Sequence, residues 1–446
     1  MVWHGFTQMA AYADNAPVVV ERAEGREVID VDGRRYFDAI SSLWVTTLGH
    51  RVPELDAALV DQLGRVAHTT LLGNGNRTAV EFAEALAEVV PVDDPHVLFG
   101  SDGAVAVEQA LKVAFQYWVN LGEHGHTRFL ALGGAYHGDT VGALSLGDSG
   151  FGTALFDPLR FPVLRTPGYE TAGWADLAVA AVARHAGELA AVVIEPLVQG
   201  ASGMLVCEPE DLARLGDACR SHGVLLVCDE VATGFGRTGR LFASEWAGPG
   251  FRPDILCLGK GITGGYLPLS ATVVAGSVFE AFGGADLGEH TFYHGHSYGG
   301  NALACAVALR HLRLIEEWEI LPHVVEVSAH LAGLLAEQVA GLDGVGAVRQ
   351  RGLMAGIALD PPAAATRWGR RVCAASVARG VLVRPLGDVV VLMPPLTTTA
   401  EELDRVVAVV AASIAEVADQ DRAGADRTDE PGGPGGGSET RVGAAG

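Results

Sequence analysis

Asp254-Ile-Leu-Cys-Leu-Gly-Lys-Gly261 runs four apolar residues into a lysine flanked by glycines. One run earlier, Val224-Leu-Leu-Val-Cys-Asp-Glu230 leads to an aspartate in the same way. Short, continuous apolar runs closed by glycine or a charge read as strands buried on both faces. Phe129-Leu-Ala-Leu132 and Ala190-Ala-Val-Val-Ile194 repeat the pattern, with helix-like stretches between the four. The alternation predicts an α/β fold around a largely parallel sheet. Ligands of such sheets bind beyond the carboxyl ends of the strands, where Glu195, Asp229 and Lys260 fall. A lysine amine there can hold an aldehyde as a Schiff base, and a buried aspartate can keep a pyridine nitrogen protonated. Asp229 and Lys260 together meet the minimum that pyridoxal 5'-phosphate requires. Singly, each reads as an ordinary turn or solvated loop residue.

The chain has 446 residues, 49% hydrophobic and 19% charged, enough for a large interior and more than one domain. Its net charge of −23 argues against nucleic acid as a main partner, because phosphates need a basic face. It argues equally against an anionic membrane surface. The six cysteines (Cys207, Cys219, Cys228, Cys257, Cys305, Cys373) contain no Cys-x-x-Cys pair. Neither a metal site nor a disulfide framework is therefore expected, and a reducing cytoplasm is. Met1-Val-Trp-His-Gly-Phe-Thr-Gln8 lacks the basic and apolar regions of a signal peptide. No apolar run reaches the roughly 18–20 residues needed to span a bilayer.

Glu27-Val-Ile-Asp-Val-Asp-Gly33 holds an Asp-Gly hairpin turn, and the apolar spacing from Pro53 to Leu63 is helical. Leu353-Met-Ala-Gly-Ile-Ala-Leu359 and Val381-Leu-Val-Arg384 are candidate strands of a smaller C-terminal domain. The expected division gives residues 1–55 to an N-terminal segment of the small domain and 56–310 to a large cofactor-binding domain. Residues 311–419 complete the small domain. The Asp-, Gly- and Pro-rich stretch 420–446 reads as a disordered tail.

Phe99-Gly-Ser-Asp-Gly-Ala-Val-Ala-Val-Glu108 is a glycine-bearing turn entering a helix. Backbone amides at such a start suit a phosphate; Ser101 or Asp102 as a plain N-cap is the alternative. His294-Gly-His-Ser-Tyr-Gly-Gly-Asn301 offers Ser297 as a second phosphate donor. Tyr136, in Tyr136-His-Gly-Asp-Thr140 after a strand, can stack on a flat heterocycle or simply cap a core. Arg384 can clamp a carboxylate bidentately. Two literal motifs are set aside. Gly234-Phe-Gly-Arg-Thr-Gly239 lies five residues beyond its strand and opens no clear helix, and Gly259-Lys-Gly lacks the Ser/Thr and the upstream glycine of a phosphate-binding loop.

These stretches occur together, and in order, in one family. Over about residues 3–418 the chain resembles the class III, fold-type I pyridoxal-phosphate aminotransferases, most of all the branch that aminates 8-amino-7-oxononanoate in biotin synthesis. The shared stretches include Trp3-His-Gly-Phe-Thr-Gln-Met9, Glu195-Pro-Leu-Val-Gln-Gly200, Asp229-Glu-Val-Ala-Thr-Gly-Phe-Gly-Arg-Thr-Gly239, Leu258-Gly-Lys-Gly-Ile-Thr-Gly-Gly265 and Arg384-Pro-Leu-Gly-Asp388. The resemblance implies a large, mostly parallel-sheet domain with a smaller α+β domain. It assigns Lys260 to the Schiff base, Asp229 to the pyridine nitrogen, Tyr136 and Val231 to the two ring faces, and the Gly103 and Ala104 amides to the phosphate. Ser297 then reaches the phosphate of the neighbouring subunit, which implies a homodimer with shared active sites. Arg384 holds the carboxylate of the keto acceptor, a small molecule like the amino donor.

Two departures concern the donor. Enzymes of this branch that use S-adenosylmethionine typically carry tyrosine where Phe6 stands, and Ser-Ser-Trp-Trp where this chain has Ser41-Ser-Leu43-Trp44. Losing a hydroxyl partner costs about 0.5–1.5 kcal/mol, enough to shift donor choice. Phe6, Leu43 and Trp44 are accordingly expected at the substrate, with L-lysine favoured over S-adenosylmethionine. The alternative is another class III ω-aminotransferase acting on a diamine or ω-amino acid. A binding protein without catalysis is disfavoured by the intact Lys260, Asp229 and Tyr136.

Overall fold

The computed structural model describes residues 2–13, 17–148, 150, 153–362 and 367–428. Its centre is a seven-stranded sheet of β1 (His96–Gly100), β2 (Arg128–Leu132), β3 (Leu164–Thr166), β4 (Leu189–Ile194), β5 (Leu225–Asp229), β6 (Ile255–Leu258) and β7 (Ser270–Val274). The order across the sheet is β1-β7-β6-β5-β4-β2-β3. Pairing is parallel from β3 through β6, and β7 runs antiparallel to both β6 and β1. Every residue of β4, β5, β6 and β7 is buried. Successive residues of β5 feed opposite cores: Leu226 and Cys228 one, Leu225 and Val227 the other. Burial on both faces is the reason these strands read as unbroken apolar runs rather than as alternating ones.

Helices enter this sheet with local start signals. Asp102, not Ser101, caps Gly103–Asn120, its Oδ1 accepting from Val105 N at 3.1 Å. Proline opens Pro53–Leu63 and Pro209–Ser221, where the missing N–H has no intrahelical partner to lose. Asn301 caps Ala302–Glu317 through its Oδ1 and Ala304 N at 3.0 Å.

Two four-stranded sheets flank the chain's ends. Val20–Glu24, Glu27–Asp30 and Arg35–Asp38 form an antiparallel meander, closed by a parallel pairing of Val381–Leu382 with Arg35–Asp38. The Asp-Gly turn falls inside it as expected, with Gly33 at φ +80°. Val345–Arg351, Met354–Leu359, Val389–Leu392 and Arg384–Leu386 make an antiparallel sheet beside it. The last helix departs from the composition-based expectation of disorder after 420: it runs Ala400–Thr428. Asp421 gives the reason, accepting from Trp368 Nε1 and Arg371 Nη1, each at 2.6 Å. Gly432–Ser438 lie outside the described residues. No helix among the described residues is long and apolar enough to cross a membrane.

Candidate active site

A cavity of about 730 Å3 opens at the carboxyl ends of the parallel strands, lined by Ser101–Ala104, Tyr136–Thr140, Glu195, Asp229, Val231 and Lys260 among others. Each segment arrives from a different strand. Asp229 ends β5, Glu195 directly follows β4, Lys260 stands two residues beyond β6, and the Gly103–Asn120 helix begins after β1.

The floor is tightly bonded. Asp229 is buried and accepts from His137 Nδ1 at 2.7 Å and from Val231 N at 3.0 Å. Burial is the largest influence on His137 and opposes its charge, but the Asp229 bond and the charges of Asp229 and Glu195 together outweigh it and hold the imidazole pKa above its ordinary value. The ring's Nε2 is buried without a protein partner. Glu195 Oε1 accepts from Tyr136 N and its Oε2 from Gly200 N, both at 3.0 Å. Burial pushes the Glu195 carboxyl up to about 7, against the pull of His137.

Lys260 sits at φ 43°, in the left-handed region that costs a side-chain-bearing residue roughly 1–2 kcal/mol. Such strain persists where the surroundings over-determine the backbone. Its Nζ lies 4.6 Å from the Trp44 ring centroid, within cation–π range. Burial lowers the amine's pKa, and Asp229 and Glu195 pull it back up. Trp44 reaches the lysine from a second strained turn, with Ser41, Ser42 and Trp44 at φ 51°, 62° and 67°. Asp38, fully buried, holds that turn by accepting from Ser42 N at 2.9 and 2.7 Å.

Glycine is needed at the helix start. A Cβ on Gly103 would meet Val231 Cγ1 at 2.5 Å, and one on Gly138 would meet Ala104 Cβ at 2.6 Å. The first-turn amides therefore come close to the cavity wall.

A second cavity of about 460 Å3 shares Trp44, Tyr136 and Lys260 with the first and extends to Phe6, Leu43, Arg370, Cys373 and Arg384. The sequence candidates thus divide. Lys260, Asp229, Tyr136, Gly103, Ala104 and Val231 line the inner cleft, and Phe6, Leu43, Trp44 and Arg384 line the outer chamber. Ser297 lies in neither; it is exposed, and its carbonyl accepts from His68 Nε2 at 2.8 Å. His137 and Asp38 were not singled out from the sequence. His137 follows Tyr136 directly, but nothing local shows that it reaches an aspartate 92 positions away.

The inner cleft fits pyridoxal phosphate: an amine for its aldehyde, a buried carboxylate held by an imidazole for its ring nitrogen, and a helix start for its phosphate. The comparisons agree. A profile of the aminotransferase class-III family matches residues 8–414. The chain is 46% identical to the adenosylmethionine-8-amino-7-oxononanoate aminotransferase of Nitratidesulfovibrio vulgaris, over 97% of this chain and 83% of that protein. It is 42% identical to the enzyme of the same name from Anoxybacillus flavithermus, covering 94% and 96%. The crystal structure of that aminotransferase from Methanocaldococcus jannaschii superimposes with a TM-score of 0.89 at 35% identity, covering 93% and 97%. An amine transaminase from an uncultivated Pseudomonas species, solved in its PLP-bound form, gives 0.86 at 34%, covering 93% and 98%. The chain belongs to the class III aminotransferases and is a pyridoxal-phosphate-dependent transaminase.

Proposed function

We propose that this transaminase aminates 8-amino-7-oxononanoate, the compound named in its relatives, to 7,8-diaminononanoate. One observation carries the reading: the outer chamber shares Trp44, Tyr136 and Lys260 with the cofactor cleft and reaches an arginine, Arg384. A ketone at Lys260 with a carboxylate at Arg384 matches an oxo acid of some length, because an arginine fork binds a carboxylate bidentately.

Pyridoxal phosphate, when bound, supplies the electron sink for charge developing at the substrate carbon. The chain's residues do the rest. Lys260 is the point of attachment and then moves the proton; burial lowers its pKa and so raises the share of neutral amine able to accept one. Asp229 would hold the ring nitrogen, and His137 fixes its orientation and supports its negative charge. Glu195 holds the Tyr136 backbone by accepting from its N–H, and Tyr136 and Val231 both line the cleft where the cofactor ring would lie. The Gly103 and Ala104 amides, at the helix start lining the cleft, would hold the phosphate. Ser297, which does not line the chain's own cleft, is assigned to the phosphate of a second copy, in a homodimer with shared sites.

For the donor, the relatives' names point to S-adenosylmethionine, and the preference for L-lysine inferred from Phe6 and Leu43 finds no support among them. A second reading, amine transamination on another substrate, is favoured by the likeness to the Pseudomonas amine transaminase. Single-turnover assays separate these. Holoenzyme is mixed with S-adenosylmethionine, L-lysine or a simple amine while the cofactor absorbance is followed, then with 8-amino-7-oxononanoate. Conversion of the cofactor by either named donor, reversed by 8-amino-7-oxononanoate, supports the proposal. Conversion by simple amines with no response to 8-amino-7-oxononanoate rejects it.

A further inference from the structure

His311 is a fully buried histidine that lines neither cavity. It stands on helix Ala302–Glu317, and its Nε2 is hydrogen-bonded to Oγ1 of Thr47, 264 positions away, at 2.6 Å. Burial pushes the imidazole pKa down to about 3, outweighing the Ile262 backbone, so the ring stays neutral.

Thr47 joins the two strained turns of the site. On one side, Thr46 N donates to Ser41 O at 3.1 Å, closing the turn that carries Trp44. On the other, the loop after Lys260 rests on Thr46 and Thr47. A Cβ on Gly261 would meet Thr47 Cγ2 at 3.0 Å, and one on Gly265 would meet Thr46 Cα at 2.9 Å. A Cβ on Gly264 would meet His311 Cδ2 at 3.1 Å and Thr47 Oγ1 at 3.5 Å. The main chain of the segment is held separately: Thr46 O accepts from Arg237 Nη2 at 3.3 Å, and Thr47 O from Leu396 N at 2.6 Å. The Thr47 side chain is left to set the contact with the lysine loop. Its bond to His311 selects one rotamer, with the hydroxyl at the ring and the methyl at Gly261. A carbon cannot stand where that hydroxyl does, because apolar contacts settle near about 3.5–4.0 Å.

We infer that His311 is a positioning residue of the transaminase, acting through Thr47 to hold the Lys260 turn in its left-handed conformation. The strain at Lys260, φ 43°, favours relaxation of the turn, and the Thr47–His311 bond opposes it. The inference holds whichever amine and keto acid the enzyme uses.

The test uses three variants. Thr47→Val keeps the shape of the side chain and loses the hydroxyl, and Thr47→Ser keeps the bond. Thr47→Val with His311→Leu removes both polar partners, so that no buried group is left unpaired and the protein folds. Cofactor-free proteins are mixed with pyridoxal phosphate, and capture by Lys260 is followed by absorbance. A misplaced reacting group costs up to about 100-fold. Capture should therefore slow about 10- to 100-fold in Thr47→Val and in the double variant, and stay near wild type in Thr47→Ser. Amide hydrogen exchange in the cofactor-free proteins should quicken about tenfold at Ile262 and Gly264 but not in β5; these two amides donate to Gly259 O and Gly261 O. Capture at the wild-type rate in Thr47→Val or in the double variant overturns the inference, even where Tm falls, since a merely structural bond lowers stability without moving Lys260. Equal slowing in Thr47→Ser overturns it as well, because the methyl and not the hydroxyl then holds the turn.

Discussion

The two cavities that meet at Lys260 are built in opposite ways. In the inner cleft Asp229, His137 and Glu195 are buried and bonded to one another or to backbone amides. The outer chamber is walled by side chains from many separate segments, Phe6, Leu43 and Trp44, Arg370 and Cys373, and residues 384–387 among them, with Phe6 66% and Leu43 45% exposed. Buried, hydrogen-bonded groups are expensive to rearrange, whereas exposed apolar side chains exchange at little cost. The contrast teaches that the chemistry is fixed by the sheet and that substrate choice is left to the periphery.

The sharpest way to break the contrast is Lys260→Ala. Turnover should fall by at least about 10³-fold, the scale of a lost proton-transfer group, and variant protein retaining turnover with either donor would remove the cleft from the mechanism. Arg384→Ala addresses the chamber. The acceptor kcat/KM should drop about 10- to 100-fold while the donor half-reaction persists; equal losses in both half-reactions would erase the separation of the two cavities. His137→Phe leaves Asp229 without its imidazole donor. Cofactor retention, followed by absorbance on dilution, should weaken about tenfold, and unaltered retention would show that Asp229 needs no support.

Glu195 gives the cleft a pH signature in cofactor-free protein. Its native pKa of about 7 lies above the ordinary 4.5, so the folded chain holds the proton that the unfolded chain releases. Its contribution to stability is therefore largest below pH 4.5 and declines as pH rises to 7. The Tm advantage of wild type over Glu195→Gln should shrink across that window; a constant difference would mean that Glu195 is charged throughout. The smallest effect belongs to the chamber: Phe6→Tyr with Leu43→Trp should shift the S-adenosylmethionine to L-lysine ratio about 2- to 10-fold. An unchanged ratio would place donor choice elsewhere.

Much of the inner cleft was legible in the sequence because strand ends carry their chemistry locally. An apolar run followed by Asp229 or Lys260 states both the burial and the exit from the sheet. The strand order was not legible. That β6 lies beside β5, and that β7 inserts antiparallel between β6 and β1, depends on pairings between distant segments. The end of the folded chain was misjudged for a similar reason: composition after 420 reads as solvated, but Trp368 and Arg371 anchor Asp421.

The sequence by itself determined the α/β class, the lysine–aspartate pair and the family, since each is written in short contiguous stretches whose apolar spacing or residue identity suffices. Only the tertiary structure decided which side chains meet. His137 at Asp229 and Trp44 against Lys260 through a strained turn join residues 92 and 216 positions apart, and the outer chamber draws Trp44 and Arg384 into one wall. Such contacts depend on the close packing of several elements at once, and no local pattern encodes them.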